Sequence, residues 1–180
     1  MFLSKTKITI TLAGISTLLA SCTGHIDPSS PPLYSVPKTH VPVSCEIGLH
    51  HIPSRSESGT VGCVFYRFSG QYRTTTRHTD LISHHTRLAQ DFCTSLQGLT
   101  QPGEPNNTLW TRFRTTDDTC TLTQPVTGYC TKEDEPTTHS DGVTDVRYFV
   151  AQLRLSSVTA ARDLCEQSLQ GHFSESVPQE

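Results

Sequence analysis

Six cysteines in the last three quarters of the chain restrict its fold more than any other feature. They are Cys45, Cys63, Cys93, Cys120, Cys130 and Cys165, and they follow one earlier cysteine, Cys22. An even number of cysteines in an exported chain indicates a disulfide framework, here most simply three bridges. No two of them form a Cys-x-x-Cys pair, which argues against a zinc ribbon or a thioredoxin-like redox motif. The sequence therefore predicts a cross-linked domain that folds in an oxidising compartment.

The amino-terminal segment has the charge and hydropathy pattern of an export signal. Lys5 and Lys7 precede an uncharged apolar run at residues 8–19, which is shorter than the roughly 20 residues that span a bilayer. Residues 19–22 (Leu-Ala-Ser-Cys) then resemble the lipobox of bacterial lipoproteins. The resemblance implies that residues 1–21 are removed and that Cys22 is lipidated on its thiol and acylated on its new amine. The alternative is an ordinary signal peptide in which Cys22 stands by chance.

Lipidation would place the chain in the cell envelope. Each buried methylene contributes about 0.8 kcal/mol, so two or three acyl chains make a firm membrane anchor. Thr23 rather than aspartate follows Cys22. By the sorting rule of enteric lipoproteins this implies the outer membrane, facing the periplasm, in a source that has one. Loss of Lys5 and Lys7 lowers the formal net charge from -3 to -5, so we expect no binding to nucleic acid.

Composition divides the rest of the chain into a tether and one domain. Residues 22–43 are predicted to be an extended lipidated tether, because a segment this rich in proline and polar residues buries little core. Its prolines are Pro28, Pro31, Pro32, Pro37 and Pro42. Residues 44–177, about 130 residues, suffice for a single domain with its own core.

Two similar segments predict two amphipathic helices. Residues 89–93 (Ala-Gln-Asp-Phe-Cys) with Leu-Gln-Gly at 96–98 match residues 161–165 (Ala-Arg-Asp-Leu-Cys) with Leu-Gln-Gly at 169–171. Apolar residues recur at spacings of three and four through both. Strands are predicted at residues 63–72, 109–115, 120–130, 146–155 and 172–177. This order predicts an α+β two-layer sandwich, in which a disulfide-stabilised antiparallel sheet carries both helices on one face.

Alternation along the predicted strands assigns side chains to the face away from the helices. Phe149, Ala151 and Leu153 should pack against the helices, so their neighbours should point away. Arginine binds carboxylate or phosphate through a planar fork, and aromatic rings offer their faces to sugars or guanidinium groups. A solvated sheet face is the alternative, and a one-residue shift in register would turn the set inward. The predicted binding face consists of Arg67, Arg73, Trp110, Arg112, Arg114, Tyr148, Gln152 and Arg154.

A resemblance to a glycan-binding family agrees with this face. Residues 148–153 (Tyr-Phe-Val-Ala-Gln-Leu), 160–165 (Ala-Ala-Arg-Asp-Leu-Cys) and 171–173 (Gly-His-Phe) resemble half of a sporulation-related repeat domain. The resemblance implies a small sandwich domain that binds the glycan strands of peptidoglycan.

No motif typical of catalysis or metal binding is present in the sequence. Nucleophile elbows, zinc-protease helices and phosphate-binding glycine loops are missing, and the histidine pairs at residues 50–51 and 84–85 lack ligand spacing. We therefore expect no catalytic residue, no metal and no cofactor. The predicted function is that of a membrane-anchored, non-enzymatic envelope lipoprotein that binds a protein partner or cell-wall glycan. The alternative is a periplasmic or surface enzyme, or an inhibitor, of unknown substrate.

Local patterns also predict how the cysteines pair. Cys120 and Cys130 flank a turn-rich segment and should close a hairpin. Cys93 and Cys165 occupy matching helix positions and should join the two helices. Cys45 would then pair with Cys63, although either of these two residues can instead reach a helix cysteine.

Overall fold

The folded part of the chain alternates strands with two helices. The computed structural model describes residues 30–115, 120–122 and 125–179, so the predicted signal peptide, Cys22 and the first part of the predicted tether lie outside the described residues. The elements are β1 (Leu33–His51), β2 (Ser56–Arg73), α1 (His78–Ser95), β3 (Thr100–Gln101), β4 (Glu104–Thr115), β5 (Gly128–Glu133), β6 (Thr137–Thr138), β7 (Thr144–Leu153), α2 (Val158–Asp163), which continues as a π-helix (Leu164–Ser168), and β8 (His172–Ser174).

All described strands belong to one antiparallel sheet. Its order is β3-β4-β1-β2-β7-β5-β8, with β6 paired to β7. The prediction of an antiparallel sheet combined with two helices and stabilised by disulfides is confirmed. The predicted strand at residues 120–130 is wrong, because Cys120 lies outside any strand and β5 begins only at Gly128.

The proline-rich segment is part of the sheet. β1 begins at Leu33 and pairs with both β2 and β4, and Val41 and Val43 are buried in the core. The pairing of β1 with β2 shifts register between Val36 and Thr39, where Pro37 lies, and again between His40 and Ser44, where Pro42 lies. A proline at such an irregularity removes no hydrogen bond from the sheet. The prediction of a tether up to residue 43 is therefore wrong from Leu33 onward.

The chain consists of two units with the same topology. In the first, the hairpin β1-β2 is followed by α1 and then by β4, which pairs outside β1. In the second, β5 pairs with β7, α2 follows, and β8 pairs outside β5. β2 and β7 join the units at the centre of the sheet. The two units are thus related by a local two-fold arrangement.

One cross-strand row makes this symmetry visible. Successive partners across six strands are Phe113, Cys45, Val64, Ala151, Cys130 and Phe173. The row is palindromic, with a phenylalanine, a cysteine and an aliphatic residue on each side of the centre. Directly opposed residues of antiparallel strands project from the same face, so all six side chains share one face of the sheet.

All three predicted disulfide pairings are wrong, although all six cysteines are bridged. The bonds join Cys45 to Cys93, Cys63 to Cys120, and Cys130 to Cys165. Cys93 and Cys165 do lie on buried helix faces, but each faces the strand beneath it rather than the other helix. The alternative in which Cys45 reaches a helix cysteine is the one observed.

Local residues define the ends of the two helices. Ser157 caps α2, since its hydroxyl accepts a hydrogen bond from the Ala160 N–H, and Gly98 after α1 adopts a φ of 78°. After α2, however, Gln170 takes the positive φ. The following Gly171 is required for a different reason: a Cβ there would lie 2.6 Å from Cys130 Sγ.

Candidate ligand-binding groove

The sheet face opposite the cysteine row carries most of the predicted binding residues. One cross-strand row on this face runs Arg112, Glu46, Cys63, Gln152, Tyr129, and the next runs Arg114, Ser44, Phe65, Val150, Thr131. A third row contains Arg67 and Tyr148. The predicted register is therefore correct, but the structure divides the face into two different halves.

The half formed by β4 and β1 is organised around a buried carboxylate that the sequence analysis missed. The side chain of Glu46 is 10% exposed and accepts hydrogen bonds at Oε2 from Arg114 Nε (2.9 Å) and Nη2 (2.6 Å). Thr60 donates its hydroxyl to Oε1, and Arg112 Nη1 lies 3.9 Å from Oε2. Burial alone raises the pKa of Glu46, but the hydrogen bonds from Thr60 and Arg114 outweigh it and hold the pKa below its ordinary value.

The segment at Cys120 closes this half. Cys120 is bonded to Cys63 of β2, and its backbone N–H donates to Ser44 Oγ at 3.0 Å. Ser44 and Cys63 are consequently fully buried. No ligand can reach the sheet at these positions unless the segment moves.

Trp110 is packed onto the protein rather than presented to solvent. A Cβ added to Gly48, its cross-strand partner, would lie 2.0 Å from Trp110 Cε2, so the indole occupies the space that the glycine leaves free. The guanidinium carbon of Arg112 lies 5.7 Å from the centroid of the Trp110 ring. Trp110 and Arg114 therefore serve the packing of the closed half.

The other half, on β2, β7 and β5, forms an open groove of about 570 Å³. This volume lies within the range typical of ligand sites. Aromatic rings and an apolar floor alternate there with groups that form hydrogen bonds. The groove is lined by Phe65, Tyr129, Tyr148 and Val150, and by Lys38, His40, Arg67, Thr131, Lys132, Glu133, Gln152 and His172.

Charge in the groove is predominantly positive. Lys38 Nζ lies 4.1 Å from the centroid of the Tyr148 ring, and the Tyr148 hydroxyl is 2.9 Å from Ser69 Oγ, which fixes the ring. Partial burial and the nearby Arg67 guanidinium lower the pKa of His40, so this histidine is neutral at pH 7. The groove thus presents oriented rings and cationic side chains to an anionic or sugar-like ligand.

The structure brings only three of the eight predicted residues into this groove: Arg67, Tyr148 and Gln152. Arg73 instead donates to the backbone carbonyls of Pro31 and Asp141, and Arg154 follows the end of β7 without lining the groove. Sequence reasoning missed Phe65, Tyr129 and His172. Phe65 is two residues from Arg67 and shares its alternation, which is the signal that would have found it, whereas no face was predicted for Tyr129 or His172.

The local symmetry explains why one half is open. Under the two-fold arrangement Val150 is the counterpart of Cys63, and Thr131 is the counterpart of Glu46. In the closed half Cys120, which follows β4 in the chain, is bonded to Cys63 of β2. The residues that follow β8 line the groove at 177–179, and none of them is a cysteine. The groove is therefore the unbridged equivalent of the closed half.

Within the described ranges, His, Cys, Asp and Glu side chains form no group of three that could hold a metal ion. Neither helix of the described part of the chain combines the length and hydropathy needed to cross a bilayer. Comparison with family models, with curated proteins and with solved structures gives no match to this chain.

Proposed function

We propose that this chain is a lipid-anchored envelope protein whose domain binds an anionic cell-wall glycan in the groove on β2, β7 and β5. The observation that carries the proposal is the groove itself, with the rings of Phe65, Tyr129 and Tyr148 beside Lys38 and Arg67. Aromatic faces suit sugar rings, and cationic side chains suit the carboxylates that cell-wall polymers carry.

The anchor completes the proposal. The lipobox at residues 19–22 would attach Cys22 to the membrane, with the outer membrane facing the periplasm as the proposed location. A binding domain held there would join the membrane to the wall, and this role requires neither a catalytic residue nor a cofactor.

The proposed architecture is a two-layer sandwich with both helices on one sheet face. Cys45 and Cys130 share a cross-strand row, and each is bonded to a helix cysteine, which supports this arrangement. It leaves the opposite face available for the groove. The resemblance of residues 148–173 to a sporulation-related repeat domain points to the same ligand class, with β7 supplying Tyr148 and Gln152 to the groove.

A sedimentation experiment with purified sacculi tests the proposal. The full chain, purified in detergent, should sediment with sacculi, and the double substitution Tyr129→Ala with Gln152→Ala should reduce the bound fraction at least about fivefold, a loss of roughly 1 kcal/mol. Both side chains are only partly buried, so the fold should survive. Near-UV circular dichroism would verify this.

Arg112→Ala is the matched control, because Arg112 is on the same face but in the closed half and is 61% exposed. It should leave sedimentation unchanged. If Arg112→Ala abolishes binding while the double variant does not, the binding site lies in the closed half and not in the groove. If wild type does not sediment with sacculi but is captured by a defined envelope protein through the same residues, the ligand is a protein partner. Hydrolysis of wall polymer by the chain would support the enzyme alternative.

A further inference from the structure

A second cavity lies between α1 and the strands β2, β7 and β5, and it shares Arg67, Lys132, Tyr148 and Phe149 with the groove. It has a volume of about 260 Å³, and apolar side chains including Leu88, Phe92 and Phe149 form its walls. Tyr66, Phe149 and Lys132 are partners in one cross-strand row and therefore share this face. The Phe92 ring of α1 lies 5.9 Å from the Tyr66 ring and 5.3 Å from the Phe149 ring, centroid to centroid. The cavity is thus built between α1 and the strands beneath it.

Tyr66 contributes a buried polar group to this apolar wall. The residue is 7% exposed, and no described residue is within hydrogen-bond reach of its hydroxyl. A buried hydroxyl without a partner is destabilising, so native structures seldom contain one. Burial raises the pKa of Tyr66, and the phenol therefore remains a neutral donor.

The charged side chains that line the cavity leave an excess of positive charge. Asp134 lies 3.8 Å from Lys132 Nζ and 3.0 Å from Arg147 Nη2, so one carboxylate is shared by two cations. His85 also lines the cavity, but burial lowers its pKa to about 4, which keeps the ring neutral at pH 7. Its Nε2 is 3.2 Å from the Tyr72 hydroxyl, and its ring stacks on Phe68.

We propose that this cavity is a binding site for a small aromatic carboxylate that carries a hydroxyl or carbonyl group on its ring. The ligand ring packs against Leu88, Phe92 and Phe149, its substituent bonds to the Tyr66 hydroxyl once the bound ring displaces the side chains that cover it, and the carboxylate meets Lys132 and Arg147. Small-ligand sites are mostly apolar with a few placed polar groups, and this cavity has that composition at a size for a single ring. The cavity shares four lining residues with the groove, but Tyr66, Leu88, Ala89, Phe92 and Arg147 line the cavity and not the groove.

Titration of the full chain in detergent with two probes tests the proposal. The probes are 4-hydroxyphenylacetate and phenylacetate, which differ only in the hydroxyl group. By isothermal calorimetry, wild type should bind the hydroxylated probe about 3- to 10-fold more tightly, the value of one hydrogen bond. Tyr66→Phe should remove this preference and leave the affinity for phenylacetate unchanged.

Two further variants place the probes in the cavity. Ala89→Leu adds volume from α1 and should abolish binding of both probes, while Arg147→Ala keeps the apolar wall and should weaken both about 2- to 5-fold. Arg112→Ala, in the closed half of the other face, should leave the affinity for both probes unchanged and is the control variant.

Three results would overturn the proposal. One is that neither probe binds wild type at about 5 mM. Another is that the hydroxyl preference persists in Tyr66→Phe, since the hydroxyl would then be recognised elsewhere. The third is that folded Ala89→Leu and Arg147→Ala both bind like wild type. Loss of glycan binding by the variant with Tyr129→Ala and Gln152→Ala would not affect the outcome, because neither residue lines the cavity.

Discussion

Removing the charge of Arg114 should destabilise the domain, whereas removing that of Arg112 should not. Both arginines approach the same oxygen, Glu46 Oε2, but Arg114 does so through two nitrogens at 2.9 and 2.6 Å and Arg112 at 3.9 Å. Their side chains are 22% and 61% exposed respectively. The two variants therefore compare two arginines that approach the same carboxylate and differ in exposure.

The magnitude follows from what remains after each substitution. Arg114→Met keeps the aliphatic stem but leaves Glu46, 10% exposed, with only the Thr60 hydroxyl and a distant Arg112. Hydrogen bonds to charged groups contribute about 1.5–3 kcal/mol each, and breaking a buried pair costs about 3–5 kcal/mol. Because this pair is partly exposed, we expect a loss of about 2–4 kcal/mol in the free energy of unfolding. Arg112→Met should cost at most about 0.5 kcal/mol.

Urea unfolding of the full chain with its disulfides intact measures this difference. The pKa of Glu46 is lower in the folded chain than in the unfolded chain, so its stabilisation is present above the unfolded pKa and is lost as pH falls through the folded pKa. The gap between wild type and Arg114→Met should therefore be full at pH 7 and should narrow in acid. The assignment of Arg114 as the main partner of Glu46 would be refuted if both variants lose the same free energy of unfolding. It would also be refuted if the difference between wild type and Arg114→Met widens in acid.

Two shorter predictions concern the anchor and the packing of the second unit. Cys22→Ser should accumulate as an unlipidated, uncleaved precursor in membrane fractions, and normal maturation by mass spectrometry would refute the lipobox. Gly171→Ala places a Cβ 2.6 Å from Cys130 Sγ and 2.7 Å from the Thr131 carbonyl oxygen, so it should lower the free energy of unfolding by about 1–3 kcal/mol. Gly59→Ala, which meets nothing within 4 Å, should change it by less than about 0.5 kcal/mol, and equal effects would contradict the predicted clash.

Periodic patterns predicted the parts of the fold in which local sequence and tertiary contacts agree. Spacings of three and four residues along the stripe Leu81, His85, Leu88, Phe92 and Leu96 predicted α1, and Leu81, His85 and Leu96 are buried. Alternation in β7 predicted the correct side for Phe149, Ala151 and Leu153. These signals are local, because each depends only on which face of a single helix or strand packs against the core.

The failures lie where distant strands decide the outcome. β1 looks like a tether because its prolines dominate the composition, yet it lies between β4 and β2 inside the sheet. Glu46 stands within the run Val43 to Ile47, and nothing nearby in sequence shows that Arg114 will reach it. The cysteine pairing depends on which strands lie side by side and in which register. Turn residues close to each cysteine in the sequence do not encode this arrangement. For the same reason the sequence does not show that Arg67, Tyr148 and Gln152 line an open groove, whereas Trp110, Arg112 and Arg114 lie in the closed half.

The closed half of the sheet indicates what the groove can accommodate. The two β-β-α-β units and their palindromic row have the arrangement that duplication and fusion of one unit produces. In the first unit Cys120 covers the face, with its backbone N–H bonded to Ser44 Oγ and a disulfide to Cys63. In the second unit Tyr129 takes the position of Ser44, and Val150 takes the position of Cys63. The same surface is open there, and both side chains line it. The Cys63–Cys120 bridge therefore covers one of two equivalent surfaces, and the other is the open groove.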